Sequence, residues 1–246
     1  MAKMTKQVTA PHPYDTSYFE GLNRPSFWGN NPYRESQRLR TLSALCQPRK
    51  DDEVLELGCG TGHYTRLLAH QVRRIVGVDF SETAILKARS GTNADNIQYV
   101  LADIQHLDPF PRESFQKIVA IDVVEHLADS QFAAVLSEVE RLLTRQGLFI
   151  LFTPCRTHWI ERLKDRSFPV KQTAGHIGVR SERELGKFLE RSGLQVKTVL
   201  RFETCIPVLR LLERHLKILP VMGSLFVSRL GMSASKTGLE PTPGIR

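Results

Sequence analysis

Residues 54–62, Val-Leu-Glu-Leu-Gly-Cys-Gly-Thr-Gly, run an apolar strand straight into a turn with glycine at 58, 60 and 62. No other stretch restricts the fold as much. Glycines at alternate positions let the backbone bend sharply and let a ligand approach where a Cβ would block it. His63–His70 (HYTRLLAH) then reads as the start of a helix, with its free N–H groups facing whatever lies over the turn.

A series of acidic residues follows, each at the end of an expected strand. Arg74–Val78 (RIVGV) is a β-branched run ending at Asp79, seventeen residues past Gly62. A carboxylate at this tip can accept hydrogen bonds from both hydroxyls of a ribose. Ile97–Leu101 ends at Ala102-Asp103, where a carboxylate can accept from an adenine amine. Lys117–Ile121 ends at Asp122, followed by Val-Val-Glu-His-Leu, and Gly147–Phe152 ends at Thr153-Pro154. Strand, turn and helix alternate, which predicts a parallel sheet with ligands at the carboxyl ends of its strands.

Together, ELGCGTG (56–62), GVDFS (77–81), LAD (101–103), IDVVEHL (121–127) and LLTRQGLFILFTP (142–154) resemble a class I S-adenosylmethionine-dependent methyltransferase over residues 33–231. A nicotinamide dehydrogenase would carry G-x-G-x-x-G, whereas this turn is G-x-G-x-G. The resemblance implies an α/β fold: a doubly wound, seven-stranded Rossmann-like sheet, mostly parallel with an antiparallel last strand, and helices on both faces. It assigns Glu56 to the methionine amino group of S-adenosylmethionine and Gly58, Cys59, Gly60 and Gly62 to close backbone contact. Asp79 would bind the ribose, Phe80 and Ile104 would flank the adenine, Asp103 would hold its amine, and Asp122 would lie beside the methionine moiety. The late region, His-x-x-x-Arg-Ser-x-x-Glu-Leu from His176, is similar to small-molecule methyltransferases, including the ubiquinone-biosynthesis O-methyltransferases.

Charge is distributed unevenly. Residues 51–153 hold 9 Lys/Arg against 15 Asp/Glu, whereas 154–231 hold 15 against 7. The basic excess outside the cofactor half favours an anionic acceptor, with a solvated basic face as the plainer explanation. Nucleic acid is not indicated, because charge alone does not identify it and no RNA-binding module is evident. The four cysteines are scattered, without a C-x-x-C pair, and the first ten residues lack the apolar run of a signal peptide. A reducing cytoplasm is the expected setting.

The segment 1–32 is rich in proline and aromatics and is expected to fold over the site as a lid, with Tyr18 and Trp28 contacting substrate. Tyr33–Cys46 reads as an amphipathic helix. Residues 154–180 form an insertion on the substrate side, with Trp159 as a further substrate contact. Ser181 with Glu184 predicts a capped helix over 182–192; Gln195–Phe202 and Gly223–Leu230 read as the last two strands. Pro207–Leu219 (PVLRLLERHLKIL) reads as a helix packed on the sheet, with a lipid-contacting element at a membrane surface as the alternative. Residues 232–246 are expected to be a disordered tail.

The sulfonium of S-adenosylmethionine makes its methyl group electrophilic, so the protein's task is alignment and exclusion of water. His126 and His176 are the candidates for proton removal from the acceptor, since imidazole titrates near neutrality. Asp122, Glu125 and His126 follow a D-x-x-E-H spacing that is similar to the metal sets of some methyltransferases, with His176 as a further ligand. Asp122 is equally explained by the cofactor, so the reading assigns no metal and keeps a divalent cation as the weaker alternative. The expected reaction is methyl transfer to oxygen of a small or medium organic acceptor with acyl, aromatic or acidic character. RNA- or protein-directed methylation, or a catalytically inactive cofactor-binding subunit, are the alternatives.

Overall fold

The computed structural model describes residues 31–165, 175–220 and 222–238. Seven strands form one sheet: β1 (Glu53–Leu57), β2 (Arg74–Asp79), β3 (Ile97–Leu101), β4 (Phe115–Ile121), β5 (Leu143–Pro154), β6 (Leu194–Phe202) and β7 (Arg229–Lys236). Their order is β3-β2-β1-β4-β5-β7-β6. β1 pairs with β2 and β4 in parallel, whereas β7 runs antiparallel to both neighbours, with Leu151 opposite Met232 and Val199 opposite Met232. The expected doubly wound sheet with one reversed strand is therefore present.

The central strands are apolar on both faces because both are covered. Successive residues divide between two cores. Leu55, Val76, Ile118 and Leu151 face α4 (Asp129–Leu142), which contributes Phe132, Leu136 and Val139, and α6 (Glu182–Arg191), which contributes Leu185 and Leu189. Val54, Ile75, Val119 and Ile150 face Leu68 and Ala69 of α2 (His63–Ala69) and Leu42, Leu45 and Cys46. Helix α3 (Glu82–Ser90) adds Ile85 and Ala88 against Tyr99. Period-two alternation along each strand thus supplies two cores from one sheet.

The expected first helix divides in two. Helix α1 spans Pro32–Thr41, with Asn31 capping Tyr33 N, and gives way to a π-type turn over Leu42–Cys46. The expected Ser181 cap is formed: Glu184 N donates to Ser181 Oγ, and Ser181 N donates to Glu184 Oε2 at 2.8 Å. The last strand lies later than the expected 223–230. Gly223–Phe226 is a short 3-10 turn, and β7 occupies 229–236, so residues 232–236 belong to the sheet and not to the tail. The cause is position. Ser233 and Ser235 look loop-like in sequence, yet a strand between β5 and β6 has its backbone bonds made on both sides and buries small side chains readily. A Cβ on Gly231 would lie 2.6 Å from Thr41 Oγ1, so the strand and the first helix meet through a glycine.

Within the expected insertion, α5 (Trp159–Asp165) is a short helix, and residues 166–174 lie outside the described residues. The returning chain is fixed by Arg180. This buried guanidinium donates to Val124 O, Leu127 O and Gly178 O and pairs with Asp129 at 2.8 Å. Gly178 N also donates to Glu125 O at 2.8 Å. The loop after β4 and the end of the insertion are thereby laid side by side.

Candidate active site

The carboxyl ends of β1 to β4 converge on one edge of the sheet, where an open parallel sheet places ligands. Gly58, Gly60 and Gly62 adopt φ of +66°, +52° and +77°. A Cβ on Gly58 would come within 2.6 Å of Val123, and one on Gly62 would strike the Tyr99 hydroxyl. The turn therefore requires glycine for both conformation and space. Cys59 is buried beneath it against Gly77.

Asp79 ends β2 directly behind this turn. Its Oδ2 accepts from Gly60 N at 2.8 Å and its Oδ1 from Ser81 N at 2.9 Å. Burial raises its pKa, while these backbone bonds oppose the rise. Each oxygen keeps capacity for a further donor, which suits a pair of ribose hydroxyls. Glu56 is buried in β1, accepts from Thr65 Oγ1, and is pushed up to about 7 by burial. A cationic amino group placed against it would restore its charge.

The adenine-side candidates divide. Phe80 is 46% exposed, and Asp103 is exposed, its carboxylate held by Gln105 N at 2.9 Å and by the Gln105 amide. Ile104 instead sits mostly in the core with Val78 and Leu107. These side chains and the glycine cradle fit S-adenosylmethionine: a buried carboxylate with open acceptor capacity, an exposed aromatic ring and a second carboxylate lie in order along the strand ends.

Asp122 closes β4 with φ of +52°, a conformation costly for a residue with a Cβ. It is held there by Asp122 N donating to Phe152 O and by two guanidiniums. Arg38 Nε donates to Oδ2 at 2.6 Å, and Arg229 Nη1 donates to Oδ1 at 2.7 Å. Burial alone would raise its pKa, but Arg38, Arg229 and Arg34 together outweigh burial and hold it well below the carboxylate range. Arg34 is lowered to about 10 by burial and by the neighbouring Arg229. Sequence reading missed this arginine trio. The i, i+4 spacing of Arg34 and Arg38 on α1 was the available signal, and nothing in the chain pattern pointed to Arg229.

Beyond Asp122, a single 3-10 turn spans Val124–His126. Glu125 is buried, accepts from Thr153 Oγ1 at 3.0 Å, and is raised to about 8 by burial and by the charge of Asp122. His126 Nδ1 lies 3.0 Å from Gly175 O. A carbonyl oxygen only accepts, so Nδ1 carries the proton and Nε2 is the basic nitrogen. The ring of His176 meets that of His126 edge-on at 4.8 Å. Both are kept neutral: burial lowers His126, and burial together with His126 lowers His176 to about 3. His176 Nδ1 is buried with no hydrogen-bond partner among the described residues. One ligand atom each from Glu125, His126 and His176 lies within 4.8 Å of the others. Asp122, the first member of the expected D-x-x-E-H set, is engaged by arginines and stands outside this group.

Of the three expected substrate contacts, Tyr18 and Trp28 lie outside the described residues. Trp159 is half-buried at the start of α5, and its Nε1 donates to Glu213 at 2.8 Å.

A family profile described as a methyltransferase domain matches residues 27–199. A relative in Mycolicibacterium smegmatis named "Probable S-adenosylmethionine-dependent methyltransferase" is 31% identical over 73% of this chain and 64% of its own length. The chain thus spans under two thirds of that relative. The Xanthomonas campestris 23S rRNA (uracil(1939)-C(5))-methyltransferase is 34% identical over 38% of this chain and 24% of its own. A solved protein of Pyrococcus horikoshii OT3 shares the fold, with a TM-score of 0.64, 18% identity, and coverage of 91% and 100% of the two chains. The chain belongs to the methyltransferase-domain family.

Proposed function

We propose that the chain methylates oxygen in a small or medium organic acceptor that carries an acidic group, with His126 and His176 handling the acceptor's proton. The observation that carries this reading is the neutral histidine pair beside Asp122, His126 on the 3-10 turn and His176 brought against it by the returning insertion. When bound, S-adenosylmethionine supplies an electrophilic methyl group. His126 is oriented by Gly175 O so that Nε2 can take a proton from a hydroxyl, and His176 lines the same spot. Burial and the charge of Asp122 raise Glu125 and favour its neutral form, so the three guanidiniums of Arg34, Arg38 and Arg229 face the two ionised carboxylates of Asp122 and Glu35, the latter 3.3 Å from Arg38. That balance favours an anionic group on the acceptor, paired with a guanidinium. Asp122, Phe152 O and the arginines hold the end of β4 in a fixed position, which keeps the acceptor's orientation.

A second reading places a divalent cation on Glu125, His126 and His176, favoured by the closeness of their ligand atoms. Arg229, 3.9 Å from Glu125, weighs against it because a dication would add to a positive site. An RNA acceptor is supported by the rRNA relative alone, and that match covers 38% of this chain. The test is incubation with methyl-labelled S-adenosylmethionine and fractionated lysate. Label in small organic acids or phosphates supports the proposal; label confined to RNA or protein refutes it.

A further inference from the structure

Helix α7 (Pro207–Leu216) is amphipathic in the opposite sense to an ordinary surface helix. Its one carboxylate, Glu213, is 1% exposed and points inward. There it accepts from the His158 ring at 2.9 Å, from Trp159 Nε1 at 2.8 Å and from Thr204 N at 2.7 Å. The outward side is apolar. Val208 is 78% exposed and Leu211 and Leu212 are exposed with it, at the i, i+3 and i+4 spacing of one helical face; Ile218 and Leu219, beyond the helix end, are exposed too. Soluble surfaces rarely gather so many large apolar side chains without a partner.

The charges around this face are of one sign. Arg214 is exposed beside it and reaches the buried Glu203 at 3.6 Å, while Arg210 lies against the Tyr33 ring and Lys217 also pairs with Glu203. With Glu213 buried, α7 presents no negative charge to its surroundings. We infer that α7 docks the protein on an anionic lipid bilayer, its leucines entering the interface and its cations meeting the headgroups. A second copy of the chain is the less favourable occupant, because pairing α7 with itself brings like charges together. No helix among the described residues is long and apolar enough to cross a membrane. The inward side of α7 is tied to the elements of the site. Cys205, just before α7, contacts Arg34, and Glu213 holds Trp159. The inference rests on α7 alone and holds whatever the methyl acceptor proves to be.

The experiment is co-sedimentation of the full chain with phosphatidylcholine vesicles, with and without phosphatidylglycerol. Binding is expected only with phosphatidylglycerol, weakening as salt is added. The variant L211E/L212E should bind at least about tenfold less, since two exposed leucines that would enter the interface are replaced by charges repelled by the surface. Its fold is checked by circular dichroism, and the single variant Ile218→Ser gives a milder loss where the double one fails to fold. Equal binding of wild type and variants, or no binding of wild type, overturns the inference. So does a wild-type dimer in sedimentation velocity that L211E/L212E converts to monomer, because a second copy then covers the face. Methyl transfer in solution is read separately, so a failure here leaves the acceptor chemistry standing.

Discussion

Arg229 and Asp122 lie 107 positions apart, yet Arg229 Nη1 meets Asp122 Oδ1 at 2.7 Å. The pair joins the start of β7 to the end of β4 across β5, and brings the reversed strand into the site. Sheet order creates this contact. Because β7 inserts between β5 and β6, its first residue arrives at the same edge as the carboxyl ends of the parallel strands.

Replacing Arg229 with Met should therefore cost stability and disturb the site together. Asp122 would keep Arg38 but lose one charge-assisted bond at low exposure, at a cost of about 2 kcal/mol. The urea unfolding midpoint measures this. An unchanged midpoint would mean that the pair is no more than a surface contact.

Asp79→Ala removes the expected acceptor for the ribose hydroxyls, together with the bonds from Gly60 N in the glycine turn and from Ser81 N after β2. Affinity for S-adenosylhomocysteine should fall by about 1.5–3 kcal/mol, since charge-assisted bonds are lost. Calorimetry gives the number directly, and undiminished affinity would remove Asp79 from the site.

Acidity should act on Glu125 and the histidines in opposite directions. Glu125 is raised from 4.5 to about 8, so its contribution is full below 4.5 and is lost as pH rises toward 8. His176 is lowered from 6.5 to about 3, so its contribution is present above 6.5 and declines as pH falls through that window. Glu125→Gln keeps a polar group without the titration. Its stability relative to wild type should improve by at least about 1.4 kcal/mol, the value of one pKa unit, between pH 5 and 8. A difference that stays constant with pH would show that Glu125 ionises as it does in water.

His126→Ala should lower turnover by roughly 10²–10⁴-fold while leaving cofactor affinity nearly unchanged, and His176→Ala should act in the same direction. Excess chelator should have no effect on wild-type activity. Loss in chelator with recovery on adding Mg²⁺ or Zn²⁺ would establish the metal reading instead. Full activity in both histidine variants would leave alignment alone as the mechanism.

Much of the sheet was legible in the sequence because its signals are local. The strand before Gly58, the β-branched run before Asp79 and the Ser181–Glu184 capping box each depend on a few neighbouring residues. The last strand was placed too early because its small polar residues acquire their burial only from β5 and β6 on either side. The arginine trio was missed for a related reason. Arg34 and Arg38 belong to α1, and Arg229 approaches from the far end of the chain. His126 and His176 could be named as candidates, but their meeting depends on Arg180 and Gly178 fastening the insertion to the turn after β4. Helix α7 was recognisable as a helix. That its glutamate would turn inward could not be read without His158 and Trp159, which lie more than fifty positions earlier.

The central claim is that the glycine turn and the strand-end carboxylates form an S-adenosylmethionine site. Titrating the wild-type chain with S-adenosylhomocysteine and, separately, with NADH tests it most directly. Saturable heat with S-adenosylhomocysteine and none with NADH is the predicted result; binding of NADH without S-adenosylhomocysteine would contradict it.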